Sequence, residues 1–315
     1  MDPITHGIVG LAVAAVAGEP VAITNPYAIG CLLGAIVPDG DIVMQVKGHY
    51  SYLKNHRGIS HSLPFAFIFG GVITLFLSMI FPGVSIIKLF LYSLAGCLSH
   101  LILDITNSYG AQIFWPFLNK KYTADLLLVY DPVLFLLSLT IIIPSFRDIV
   151  HPSISITLFF TYVLLRSIAK YYIKKTIKKG MVNEGEITFI RVLPSLVGLL
   201  KWHFIIKYKD KRVVGEINLF SKRLRIIDIL DNLDTKLYNA IKDTEIARFF
   251  DEFTPISHID CIKSAVGYEY YFTDLRYYAA KDYLHHATAT LDENFALVSS
   301  LFQPYNKNRK VEIKI

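Results

Sequence analysis

The chain has 315 residues, of which 53% are hydrophobic and 18% charged, and a formal net charge of +6. Its mean hydropathy is +0.43. So few charges on a chain this long exclude an ordinary soluble protein and indicate an integral membrane protein. Three cysteines, Cys31, Cys97 and Cys261, form no C-x-x-C and offer no disulfide framework, which argues against zinc-finger and thioredoxin-like readings.

The average hides a division. Residues 1–175 are mostly apolar runs, and residues 176–315 hold most of the charge. The expected architecture is therefore mainly α: a multi-pass transmembrane bundle over 1–175, then a small soluble α+β domain over 176–315 whose role the sequence does not name. A bilayer crossing needs about 20 apolar residues. Segments near 62–82, 86–106, 126–146 and 153–173 meet that length, and those near 6–18 and 27–38 are short. That predicts about six apolar helices. The short pair is a tight hairpin, a re-entrant pair or two tilted spans, and its small residues, among them Gly10, Gly34 and Ala35, permit close approach. The first run resembles a signal peptide in length. Asp2 precedes it and no Lys or Arg does, so it reads as part of the mature protein.

Lys170, Lys174, Lys175, Lys178 and Lys179 gather at the end of the last apolar run. A nucleic-acid patch is one reading of such a cluster. Its position beside a spanning segment favours anionic lipid headgroups, so no direct nucleic-acid partner is expected. If all six segments cross, Lys47, Lys54, Arg57, Lys120, Lys121 and this cluster share one side, and Lys88 and Arg147 take the other. The positive-inside bias puts the larger loops and the C-terminal domain in the cytoplasm.

The soluble part opens with alternating residues. Strands are expected at 187–193, 202–208, 213–220 and 224–230, with a hairpin turn at 209–212. A helix is expected over 235–250, capped by Asp234. Segments 266–272 and 275–278 look strand-like, and 284–302 reads as helix or mixed.

Residues that carry chemistry recur at the ends of the apolar runs. His100 and Asp104 are four apart in a segment otherwise free of charge near them, which puts both on one helical face. They are a metal-ligand pair, or a core histidine with its hydrogen-bond partner; ionisable groups at membrane depth favour function. Pro38-Asp39-Gly40-Asp41 places two carboxylates around a turn, suited to a cation or merely to turning the chain. His56 and His61 flank Gly58, which lets them converge. Arg57 is a clamp for a phosphate or carboxylate, or a headgroup anchor. Ser62 is the expected cap of the helix that follows, and Asp131 is a cap or an outlying site residue. His6 matters only if the site takes a nitrogen from the first helix.

The ordered set Thr5-His6-Gly7, Pro38-Asp39-x-Asp41, His56-Arg57-Gly58-x-Ser60-His61-Ser62 and His100-x-x-x-Asp104-x-x-Asn107-x-x-Gly110 resembles the membrane-bound metal-dependent hydrolases. These are also described as inner-membrane-associated hydrolases, some with a LexA-binding label. The resemblance covers about residues 1–175. The family usually has Thr where Ser60 stands, which keeps the hydroxyl. It implies a His/Asp metal site in a helical membrane protein, and is similar at a greater distance to the zinc-dependent phospholipase C and P1 nuclease group.

The resulting expectation is an enzyme. His6, Asp39, His56, His61, His100 and Asp104 hold one or two divalent ions, zinc by preference and manganese as the alternative. Asp41 serves as general base and Arg57 steadies the anionic transition state. A site at the cytoplasmic membrane face implies membrane lipids as surroundings and an amphiphilic or phosphate-bearing ester as substrate. The alternative is a non-catalytic metal sensor that signals to a regulatory protein partner through its cytoplasmic domain. A transporter fits less well, because the polar groups cluster at one side.

Overall fold

The structure is a computed structural model. It describes residues 1–47, 57–147, 149–196, 198–254, 256–265, 267–279, 281–305 and 310–312. His56 lies outside the described residues. The chain forms two compact units: of the described residues, Met1–Met44 and 57–168 build the first, and 45–47 with those from Ala169 onward build the second.

The first unit is helical. Its elements are α1 (Pro3–Val16), α2 (Pro26–Ile36), α3 (Leu63–Ile80), α4 (Ile86–Thr106), α5 (Pro132–Ile142), the short α6 (Pro144–Arg147) and the start of α7 (Pro152–Gly180). Polar caps fix where the apolar runs begin. The Asp2 carboxylate accepts from Thr5 N and Pro3 follows it; Asn25 accepts from Tyr27 N and Pro26 follows it. After α2 the chain continues as 3₁₀ turns over Val37–Lys47.

Among the described residues, four segments are long and apolar enough to cross a membrane: Pro26–Val43, Leu63–Ile80, Ile86–Thr106 and Pro152–Gly180. On α3, Phe67, Val72, Leu75, Phe76 and Met79 are exposed, an apolar face that suits lipid. The expected span over 126–146 is corrected. Leu126 and Leu127 donate to the Thr106 carbonyl instead of entering a helix, Asp131 caps α5, and Pro144 follows its end. What remains is 11 helical residues, or about 16 Å at 1.5 Å per residue. Ser62 sits at the start of α3 without capping it; its hydroxyl donates to the Ile59 carbonyl at 2.8 Å.

Glycine lets the helices meet backbone to backbone. A Cβ on Gly34 of α2 would lie 2.2 Å from the Ser93 carbonyl oxygen of α4, and one on Gly96 would lie 2.1 Å from the Cys31 carbonyl oxygen. Only hydrogen fits at either crossing point. This contact brings the C-terminal end of α2 against the middle of α4, one turn from His100.

Among the described residues, the second unit contains two larger antiparallel sheets and one two-stranded pair. Strands β1 (Phe189–Pro194), β2 (Lys201–Lys207), β3 (Lys211–Asn218) and β4 (Leu224–Asp231) form a meander in that order. Trp202, Phe204, Ile206 and Val213 pack there against Ile173 and Ile177 from the end of α7. Next come α8 (Thr235–Ile241) and α9 (Glu245–Phe253), then β5 (Ser257–Ser264), β6 (Gly267–Asp274), the short pair β7 (Tyr278–Ala279) and β8 (Asp282–Tyr283), β9 (His286–Leu291), β10 (Leu297–Gln303) and β11 (Val311–Glu312). The second sheet has the order β11-β10-β9-β6-β5. Phe249, Phe250 and Phe253 of α9 bury against Phe272, Phe302, Ala287 and Ala289. Each buried ring contributes about 1.5–3 kcal/mol, and the small alanines make room for it.

Three local expectations change. The single helix over 235–250 is two, because Thr244 starts a new helix and accepts from Ala247 N. Segment 284–302 is two strands joined by a turn, with no helix; the alternation of Ala and Thr over 287–290 has the period of a sheet. Leu275 and Arg276 form a turn rather than a strand, and Arg276 closes on Asp274 at 2.8 Å.

A candidate metal centre

Four side chains from three parts of the first unit converge: Asp39 after α2, His61 before α3, and His100 and Asp104 on α4. One ligand atom from each lies within 4.8 Å of all the others. His61, His100 and Asp104 are fully buried. Asp39 is the most accessible of the four, its side chain 9% exposed.

The separations match a metal cage. His61 Nε2 lies 3.0 Å from His100 Nε2. It lies 3.4 Å from Asp39 Oδ1 and 3.3 Å from Asp104 Oδ2. His100 Nε2 lies 3.7 Å from each of the same oxygens. Metal bonds of about 2.1 Å in a tetrahedron imply ligand–ligand edges of about 3.4 Å. Both Asp39 oxygens and Asp104 Oδ2 are buried without a hydrogen-bond partner. Buried carboxylates left like this are costly unless a cation or donor answers them. The donor set therefore fits a divalent ion.

Each ligand is fixed from behind. His100 Nδ1 is 2.8 Å from the Ala35 carbonyl oxygen. A carbonyl only accepts, so Nδ1 carries the proton and Nε2 turns its lone pair to the cluster. His61 Nδ1 meets the Ser60 hydroxyl at 2.9 Å and Asp41 Oδ2 at 3.8 Å. Burial opposes a charge on the His61 ring, but the carboxylates of Asp104 and Asp39 outweigh it and raise its pKa above the usual value. A metal arriving at Nε2 must displace that proton.

Asp104 uses its other oxygen differently. Oδ1 accepts from the Met1 amine and lies 3.2 Å from Arg57 Nη2 and 3.3 Å from His6 Nε2. The rings of His6 and His100 stack at 3.7 Å. Arg57 is buried, with φ at 59°, an uncommon backbone for a non-glycine residue. Its Nη1 donates to Asn107 Oδ1 at 2.9 Å, and its guanidinium lies over the Tyr109 ring. Its backbone N–H donates to Asp41 at 3.2 Å.

Of the residues expected from the sequence, Asp39, His61, His100 and Asp104 thus share one cage. His6 packs beside it on the Oδ1 side of Asp104. Asp41 lies behind His61, on the ring nitrogen facing away from the cage. Arg57 is engaged by Asp104 and Asn107. Asp131 is a helix cap, accepting from Val133 N and Leu134 N, and it also accepts from the Tyr162 hydroxyl. The connecting role of Asn107 was missed. Three residues after Asp104, at the end of α4, it donates to Asp104 and accepts from Arg57 and Tyr109 N. Its spacing from Asp104 was the available signal.

Comparison with known proteins matches both ends of the chain. Residues 1–177 match the family described as YdjM inner membrane protein, and residues 236–315 match the YfhP C-terminal alpha/beta plait domain. The protein named Uncharacterized protein YfhP from Bacillus subtilis (strain 168) is 27% identical over 313 residues, covering 95% of this chain and 94% of the relative. Inner membrane protein YbcI from Escherichia coli (strain K12) is 30% identical over 124 residues, covering 38% of this chain and 70% of the relative. No solved structure matches the chain. With apolar helices long enough to span and a profile match over more than half its length, the chain is a membrane protein and belongs to the YdjM inner membrane protein family.

Proposed function

We propose that this protein is a membrane-embedded metal-dependent hydrolase that cleaves an ester or phosphoester at the cytoplasmic face of the cell membrane. The observation that carries this is the cage of Asp39, His61, His100 and Asp104, with its metal-like separations and buried carboxylate oxygens that make no hydrogen bond of normal geometry. Mixed imidazole and carboxylate donors suit zinc, then manganese, better than calcium or magnesium. One ion fits best, because Arg57 and the Met1 amine already engage the second oxygen of Asp104. Cytoplasmic sidedness of the site and of the C-terminal domain is supported by the lysines at the end of α7.

When bound, the ion supplies Lewis acidity at the ester oxygen and makes water acidic enough to attack near neutral pH. The residues around it do the rest. His100, His61 and Asp104 are held by Ala35, by Ser60 with Asp41, and by Arg57 with Asn107. Asp39 is the least buried of the four, and its Oδ2, turned away from the closest imidazole contacts, would take the proton of the attacking water. Arg57 and Asp41 act as positioning residues. Exposed Ile42, Val43 and Ile59, near Asp41 and His61 in the chain, suit the hydrocarbon part of an amphiphilic, phosphate-bearing lipid.

One observation favours a second reading. Four protein donors close a tetrahedron, and closed sites are structural, whereas catalytic zinc keeps a position open. A sensor passing metal occupancy to a regulatory protein would be built that way. Turnover separates the two. Detergent-purified, zinc-loaded protein should hydrolyse a phosphodiester or phospholipid reporter, and Asp39→Asn should abolish turnover. A sensor binds the metal and turns over nothing.

A further inference from the structure

We propose that the C-terminal unit carries a second ligand site, a cleft between β2, β3 and the α8–α9 pair that takes a small sugar phosphate. The cleft has a volume of about 230 Å³ and is lined by Lys207, Arg212, Tyr238, Asp251 and Ser257, with Leu233 and Ile259 as apolar wall. Lys207 and Arg212 are direct cross-strand partners, so both project from the same face of the sheet. Like charges placed opposite each other on one face destabilise a sheet. Among the described residues, no carboxylate makes an ion pair with either of them. Arg212 Nη1 donates to His258 Nδ1 at 3.3 Å, which orients the guanidinium, and the Asp251 carboxylate of the same lining attracts it without closing an ion pair. Two adjacent cations against the single carboxylate of Asp251 leave the lining net positive, which favours an anion, and phosphate matches both a guanidinium fork and an ammonium.

The rest of the lining narrows the class. The hydroxyls of Tyr238 and Ser257 can donate to phosphate oxygens. Asp251 only accepts, so it repels a bare phosphate and asks for hydroxyl groups on the far end of the ligand. At about 30 Å³ per water, the volume equals roughly seven waters, enough for a phosphate with a short polyol. Leu233 and Ile259 offer a surface for the C–H face of a sugar. This site is separate from the metal centre and does not rest on the proposed hydrolase activity.

The test is calorimetric titration of the full chain in detergent with ribose 5-phosphate, ribose and inorganic phosphate, each with and without EDTA. Ribose 5-phosphate should bind saturably, ribose should not, and EDTA should change neither result. Lys207→Gln, at an exposed position, should weaken binding about tenfold or more, the loss of one charge-assisted hydrogen bond. Asp251→Asn should tighten inorganic phosphate and weaken ribose 5-phosphate. The proposal is overturned if ribose 5-phosphate gives no saturable binding, if Lys207→Gln binds as the parent does, or if EDTA abolishes binding.

Discussion

His100 and Asp104 stand one helical turn apart on α4 with Nε2 and Oδ2 3.7 Å apart, and each is held by a different neighbour. Ala35 of α2 fixes the histidine and Arg57 fixes the aspartate. The pair therefore reports on two packing contacts at once, and so does any metal it holds.

Replacing Asp104 with Asn keeps the volume and removes the charge. The cage loses a ligand, and Arg57 is left as a buried cation without its carboxylate. Breaking a buried pair from one side costs about 3–5 kcal/mol. Asp104→Asn should therefore lose metal and unfold at lower temperature, by metal analysis and thermal melts in detergent. A variant that keeps both metal and melting temperature would show that Asp104 is outside the site.

Asn107→Ala and Asp41→Asn remove supports rather than ligands. Loss of such an outer contact typically weakens metal binding about 10–100-fold. Chelator competition should show weaker binding with unchanged stoichiometry. Complete loss of metal in Asp41→Asn would instead make Asp41 a ligand.

The α2–α4 crossing tolerates nothing beyond hydrogen. Gly34→Ala puts a methyl into the Ser93 carbonyl, whereas Gly71→Ala on α3 meets nothing within 4 Å. Overpacking of this kind costs about 1–3 kcal/mol. Gly34→Ala should lower thermal stability and also weaken metal binding, since it moves Ala35 away from His100. Gly71→Ala should do neither. Equal behaviour of the two variants in a melt would refute the crossing.

In the C-terminal unit, burial pushes the pKa of His203 and His285 down to about 4. The unfolded chain protonates a histidine near pH 6.5. Below that pH the unfolded state binds more protons than the folded one, so stability is full above about 6.5 and falls until about pH 4. A shift of this size is worth about 3 kcal/mol per histidine. Denaturant unfolding followed by tryptophan fluorescence should show the loss between pH 7 and 4.5, and His203→Gln should flatten it. An unchanged pH profile in the variant would mean His203 does not titrate this way.

Much of this was legible in the sequence, for a physical reason. His100 and Asp104 lie on one helix, where spacing alone fixes the face, and charge in an apolar run is conspicuous. The strands over 202–208 and 213–220 announce themselves by aromatic and β-branched residues on either side of the charged turn 209–212. Asp41 and Arg57 are different. They lie in a turn and a loop, where direction depends on partners far along the chain, so the sequence could nominate them without showing that Asp41 faces the back of His61. The 126–146 run misled because hydropathy does not register the backbone bonds of Leu126 and Leu127 to Thr106 that keep its first residues out of a helix. Strand β5 went unseen because its residues, Ser257–Ser264, mix polar and apolar side chains at the sheet edge.

Metal analysis of the full chain purified in detergent without chelator addresses the cage most directly, run beside His61→Ala and Asp104→Ala. Zinc or manganese in stoichiometric amount, lost from both variants while the helical circular dichroism persists, is the predicted result. A purified protein without bound metal that also takes up none on titration, or full metal retention in both variants, would contradict it.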